Sequence, residues 1–289
     1  MTSKVTEAFA KASEQQRAAL EIYPHIKPSP AVLPQSFDAL HRLGIGVDSV
    51  NLAKAADASN LTKYALVLLP AATALDSAQV AAALQSFAQG GGVVVITPFT
   101  AYMDGNGVFR GDGFAANLRE LTGGLVRTIR WMGLEAVGQR KDPEVEWNGG
   151  GVAGRSPVGL EGYCELMEVD PGVEIIGTFS SRQPILDGKP AVTLRKLGRG
   201  TVVKFGFWPG DDSFLRLIRQ LVPHSQSLLE APLPAGGLAV PHWDNSLFIV
   251  NTTRQEMPVQ LSRGAKDQLS EKALNGTTKL DPFQVLWLE

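Results

Sequence analysis

The 289 residues predict an α/β fold with a parallel sheet, followed by a small antiparallel β domain. Two runs, YALVLLPA and GGVVVIT, are apolar almost throughout, as strands are when a parallel sheet is covered on both faces. LDSAQVAAALQSFAQ lies between them with helical spacing and supplies the right-handed crossover that such a pair needs. Beyond about residue 230 the pattern changes to short alternating segments separated by turns, the mark of antiparallel strands.

The elements follow in order. Val5, Phe9, Ala12 and Leu20 fall roughly along one helical face, and SFDALHRLG (36–44) is a second helix closed by Gly44. GVDSVNL reads as a strand, and so does the stretch from Ala65 to Pro70. In the next helix Asp76 is the expected cap, Gln79 completes a capping box, and Val80, Ala83, Leu84 and Phe87 share a face. Gly90, Gly91 and Gly92 stop that helix before the strand from Val93 to Thr97. A phosphate loop has the reverse order, after a strand and before a helix, and carries a lysine that is missing here.

From Tyr102 to Gly162 the pattern loosens. FAANLRELTGG offers one short helix, and RKDPEVEWNGGGVAGRSP offers turns and a polar strand. VEIIGTF is a strand, PAVTLRKLGRGTVVKFGFW gives two strands about a turn at Gly198 to Gly200, and DDSFLRLIRQLV is a helix capped by Asp211 or Asp212. HSQSLLEAPLPAGG (224–237) has a linker's proline and glycine content. SLFIVNTT, MPVQLS, AKDQLS and TTKLDPFQVLWLE supply the final strands.

With 44% apolar and 19% charged residues the chain is globular, and a net charge of −2 without a basic stripe excludes a nucleic-acid footprint. The start, MTSKVTEAFAKASEQQ, has no apolar core of signal-peptide length and no run of about 18 apolar residues occurs, so a membrane partner is not expected and the expected location is cytoplasmic. One cysteine, Cys164, excludes an internal disulfide. His25, His41, His224 and His242 are scattered and form no metal pair, so neither metal nor cofactor is expected. DGNGVFRGD from Asp104 opens like a calcium loop, but Val108 stands where the third oxygen ligand belongs, and a tight turn at Gly105-Asn106-Gly107 is the better reading.

The order of segments resembles the non-catalytic back half of a glycoside hydrolase family 42 β-galactosidase. LHRLGIGVDSVN, YALVLLPA with the helix and GGGVVVIT behind it, TAYMDGNGVFRGDG with NLRELTGG, PAVTLRKLGRGTVVKFG, and FIVNTTRQEMPVQL with LDPFQVLWLE carry the match from about residue 36 to the end. The resemblance implies a glutamine-amidotransferase-like (flavodoxin-like) parallel sheet with helices on both faces over residues 36–223. A helical and irregular lead-in (1–35) would precede it, and a linker (224–237) and a small C-terminal antiparallel β-sandwich (238–289) would follow. In that family a catalytic TIM barrel comes first, and such a barrel needs about 250 residues of strand-helix alternation. The acid and nucleophile glutamates belong to the barrel, so no catalytic residue is expected here. The family's apolar first strand has only a proline-broken counterpart, ALEIYPHIKPSP.

An amidotransferase-like sheet raises the possibility of a glutaminase, whose cysteine sits on a sharp turn straight after a central strand. Here Pro98, Phe99 and Thr100 occupy that turn, and Cys164, in GLEGYCELM, reads as a small buried residue. Glu144 and Glu146 share a strand face, which for like charges two apart reads as a solvated face rather than a glycosidase pair. Three readings result: a self-associating (trimeric) module without an active site, a component that works with a separately supplied TIM-barrel subunit acting on galactosides, or a carbohydrate-binding module in which Trp147, Trp208 and Trp243 stack on sugar rings.

Overall fold

A computed structural model describes residues 40–289 apart from 76, 105, 112, 114, 132–142, 159–162, 210, 223–226 and 243–245. The expectations on residues 1–39, Asp76, Gly105, His25, His224 and Trp243 lie outside the described residues. The described chain forms two compact units, Ser49–Ser213 and residues 40–48 with Phe214–Glu289.

The first unit begins with α1 (Leu52–Ala55), β1 (Leu66–Leu69), α2 (Ala78–Gln89), β2 (Val93–Ile96) and α3 (Arg119–Thr122). Strands β3 (Gly124–Trp131), β4 (Glu144–Trp147), β5 (Gly154–Pro157), β6 (Tyr163–Val169), β7 (Glu174–Ser180), β8 (Pro190–Leu197) and β9 (Gly200–Phe205) follow. Seven of them form one sheet in the order β1-β2-β9-β8-β7-β4-β5, and β3 pairs with β6 separately. Only β1, β2 and β9 run parallel; the rest of the large sheet is antiparallel. The sheet is therefore mixed rather than parallel throughout. The cause is local: two residues join β8 to β9, and a connection that short can only reverse the chain.

Helix α2 makes the predicted crossover and buries Val80, Ala83, Leu84 and Phe87 against Val67, Leu69, Val94, Ile96 and Val202. Its N-cap is Ser77, whose hydroxyl accepts from the Val80 N–H. The other end is closed by the β8–β9 turn, where the Arg199 N–H donates to Gln89 O and its guanidinium to Gly90 O. Gly200 makes that closeness possible, since a Cβ there would overlap the carbonyl oxygens of Ala88 and Gly92.

GVDSVNL does not form the expected strand. Its residues are largely exposed, and Asn51 instead caps α1 by accepting from the Lys54 N–H. In contrast β3 and β6, within or beside the stretch whose pattern had loosened, form a paired ribbon.

In the second unit, residues 40–42 form a helical turn closed by Gly44 at φ 66°. The Leu233 N–H donates to Arg42 O, the Arg42 guanidinium Nε–H donates back to Leu233 O, and the Ser227 hydroxyl donates to Leu43 O. Helix α4 (Asp211–Leu221) spans the division and buries Phe214, Leu215, Leu217 and Ile218. Then come β10 (Gly237–Pro241), β11 (Leu247–Asn251), β12 (Met257–Gln260), β13 (Ala265–Lys266), β14 (Ala273–Leu274), β15 (Thr277–Leu280) and β16 (Val285–Leu288). They pair antiparallel as β10-β11-β16, β12-β15 and β13-β14 around a core that includes Leu229, Leu233, Ile249, Val259, Leu280 and Leu288. Asp267 ties β13 to β16. Its buried carboxylate accepts from the Trp287, Leu269 and Ser270 N–H groups and from the Ser270 hydroxyl. Burial pushes the Asp267 pKa up, but these bonds outweigh burial and hold it below the ordinary 3.8.

Gly200→Ala should cost more than about 2 kcal/mol in urea unfolding, since the new methyl meets backbone that cannot yield cheaply. Asp267→Asn should cost about 2 kcal/mol at neutral pH. Folded Asp267 holds its proton less tightly than the unfolded chain does. Its stabilisation is therefore complete above 3.8 and is lost as pH falls through the lower folded value. Urea titrations from neutral to acid pH should show the gap between wild type and variant narrowing only below about pH 4.

Candidate functional site

In an open α/β sheet, ligands bind beyond the carboxyl ends of the parallel strands. In this chain that edge is where β1, β2 and β9 end, at Leu69, Ile96 and Phe205. Three of the non-glycine residues with positive φ follow directly: Ala71 at 48°, Phe99 at 64° and Ala101 at 59°. Each such residue costs about 1–3 kcal/mol and persists only where its surroundings fix it.

The surroundings do so with a buried hydrogen-bond network. Thr97 accepts from the Ala71 N–H at 2.8 Å and donates to Leu69 O, and Thr100 donates to Thr97 O. The Ala101 N–H donates to Ala72 O and the Met103 N–H to Thr73 O, lacing the turn after β2 to the turn after β1. At the centre lies Glu165 of β6, 1% exposed. One carboxylate oxygen accepts from the Phe99 N–H at 2.9 Å and the Tyr102 hydroxyl at 2.6 Å, and the other accepts from the Lys204 ammonium. Lys204, 4% exposed, directs its remaining protons to Phe205 O and Thr97 O. Burial lowers the Lys204 pKa below that of an ordinary lysine, and the Glu165 carboxylate opposes the shift. Burial, then the same carboxylate, pushes the Tyr102 hydroxyl well above its usual range.

Around this polar centre the edge is filled with rings and apolar side chains. Ala71, Ala74, Phe99, Tyr102, Met103, Tyr163 and Trp208 form one buried cluster, with Phe99 edge-on to Tyr102 and to Tyr163. Phe99 thus occupies the sharp turn at which a glutaminase would present its nucleophile. The N–H of that turn, a natural oxyanion donor, is already bonded to Glu165.

The sequence-nominated residues lie as follows. Trp147 and Trp208 are both buried; Trp147 donates to the Ser156 hydroxyl and packs edge-on against Phe205 and Phe207. Cys164 is fully buried and outside any disulfide. Glu144, half-buried, and Glu146, exposed, stand beside Arg155 of the paired strand, at 3.9 and 3.6 Å. Asp104 accepts from the Asn106 and Val108 N–H groups within a hairpin closed by Met103 and Phe109, so its oxygens serve the turn. The His242 ring stands edge-on to Phe248, and His41 is half-buried. Among the described residues no group of three histidine, cysteine or acidic side chains could hold a metal, and no helix is long and apolar enough to cross a membrane.

Glu165, Lys204 and Tyr102 escape a motif-based reading. The available signal was Lys204 in TVVKFGFW, a lone cation in a strand otherwise apolar enough to be buried, which requires a buried counter-charge. Removing one member should be far worse than removing both. Glu165→Gln is expected to cost about 3–5 kcal/mol, whereas Glu165→Gln with Lys204→Met should recover at least about 2 kcal/mol of the summed losses in a urea-monitored double-mutant cycle.

The comparisons agree with this architecture. The β-galactosidase trimerisation domain is matched over residues 10–228. β-Galactosidase BglY of Alicyclobacillus acidocaldarius is 26% identical over 88% of this chain and 36% of its own length. β-Galactosidase BgaA of Clostridium cellulovorans is 25% identical over 69% of this chain and 27% of its own. Among solved structures, β-galactosidase from Bacillus circulans sp. alkalophilus superposes with a TM-score of 0.73 at 22% identity, covering 90% of this chain and 38% of that one. The chain thus spans about a third of the relatives it matches. With more than half of its length matched, the chain belongs to the β-galactosidase trimerisation domain family.

Proposed function

We propose that the chain is a non-catalytic assembly module that self-associates as a trimer, and that chemistry on galactosides belongs to a catalytic barrel rather than to these residues. The observation that carries this reading is the closed carboxyl edge. The place where an α/β sheet offers a ligand its donors is filled by Phe99, Tyr102, Tyr163 and Trp208, and the turn's N–H is taken by the chain's own carboxylate. A buried pair of this kind rigidifies a scaffold without leaving a group free to react.

The finer parts of the reading accompany it. We take β1, β2 and β9 with α2 as the core of an amidotransferase-like layer, residues 36–223 as the assembling part and residues 238–289 as the accessory β part. A cytoplasmic location agrees with the single cysteine, which is buried rather than disulfide-bonded. The buried Trp147 and Trp208 serve packing in this reading, and galactosides meet the barrel partner instead.

Light scattering on the purified chain at micromolar concentration should give a mass near three times the 30.9 kDa of one chain. A single-chain mass across the dilution series would contradict self-assembly. The same preparation should give no turnover of a nitrophenyl galactoside above a heat-denatured control.

A further inference from the structure

The donors around the Glu165 carboxylate and the carboxylate itself come from different sheets. The Phe99 N–H and the Tyr102 hydroxyl belong to the turn after β2, and the Lys204 ammonium belongs to β9, so all three lie on the carboxyl edge of the parallel strands. Glu165 arrives from β6, which pairs with β3 outside that sheet. The donors also have anchors of their own. Lys204 is held by Phe205 O and Thr97 O, and Phe99 is held in its turn by the bonds from Ala101 and Met103 to the β1 side. A backbone N–H, a hydroxyl and an ammonium that converge at fixed positions in a site closed to water form a receptor for a carboxylate.

We propose that the carboxyl edge is a carboxylate-binding seat of which Glu165 is the built-in occupant, and that a small free monocarboxylate takes the same place once the Glu165 carboxyl is removed. The charge specifies an anion, because among the described residues the Lys204 ammonium has no other acidic group bonded to it. The shape specifies a flat two-oxygen group, because one oxygen serves Phe99 and Tyr102 while the other serves Lys204. Acetate is the fitting probe: Glu165→Ala removes two carbons and two oxygens, the heavy atoms of acetate. The inference stands apart from the assembly reading, since neither a monomeric nor a catalytically active chain would alter its test.

The experiment follows thermal unfolding of Glu165→Ala in sodium acetate and in sodium chloride at equal ionic strength. The expected result is an unfolding midpoint that rises saturably over millimolar acetate, is unmoved by chloride, and loses its acetate response when Lys204→Met is added. Wild type, with its seat filled, should not respond to acetate. An equal effect of chloride, a rise without saturation, or an undiminished response in the double variant would overturn the proposal. If Glu165→Ala does not fold in chloride, its refolding from urea serves as the readout. Recovery of the fold in acetate alone supports the seat, and failure in both salts overturns it.

Discussion

The first unit depends on one buried ion pair. Lys204 and Glu165 lie in the interior, where an unpaired charge would cost several kcal/mol, and each is tolerable only because the other is there. The pair does more than neutralise itself. Through Phe99 and Tyr102 it fixes the turn after β2 in a conformation that phenylalanine rarely adopts, and Lys204 also donates to the backbone O of Thr97, whose hydroxyl in turn accepts from Ala71 in the turn after β1. It also links the β3–β6 ribbon to the large sheet, since Glu165 comes from the one and Lys204 from the other. Strain in three residues and the docking of a strand pair are thus offset by one network.

From this follows why the carboxyl edge is closed. The same turn that could cradle a ligand faces an internal carboxylate, and the space above it holds aromatic rings in edge-on contact. An edge-on ring contact adds about 0.5–1.5 kcal/mol beyond burial, so the plug is stable in its own right. What an α/β scaffold uses elsewhere for chemistry serves here as a keystone, a role consistent with membership of a trimerisation family.

Much of the frame was legible in the sequence because its signals are local. The apolar strands at 66–69 and 93–96, the helix between them with Val80, Ala83, Leu84 and Phe87 inward, and the β8–β9 hairpin all stand as read. Three things were not legible, each for a physical reason. GVDSVNL has a strand's alternation, but Asn51 satisfies helix N–H groups better than a ladder could, and α1 starts there. The ribbon of β3 and β6 draws its stability from cross-strand partners 32 to 45 residues apart, not from a period within either strand. In the site, Glu165 sits in YCELMEV like any solvent-facing acid, and its meaning depends on a lysine thirty-nine residues away. A charge that pairs across the fold leaves little trace in either segment alone.

Native-state hydrogen exchange at residues 97–103 tests the central claim most directly, because it reads whether the carboxyl edge is held shut in the intact chain. The account predicts that the Phe99, Ala101 and Met103 amides exchange only through unfolding of the whole first unit, with a denaturant dependence equal to that of the β2 and β9 amides. Rapid exchange of these amides by a denaturant-independent local opening, while the strands stay protected, would contradict it.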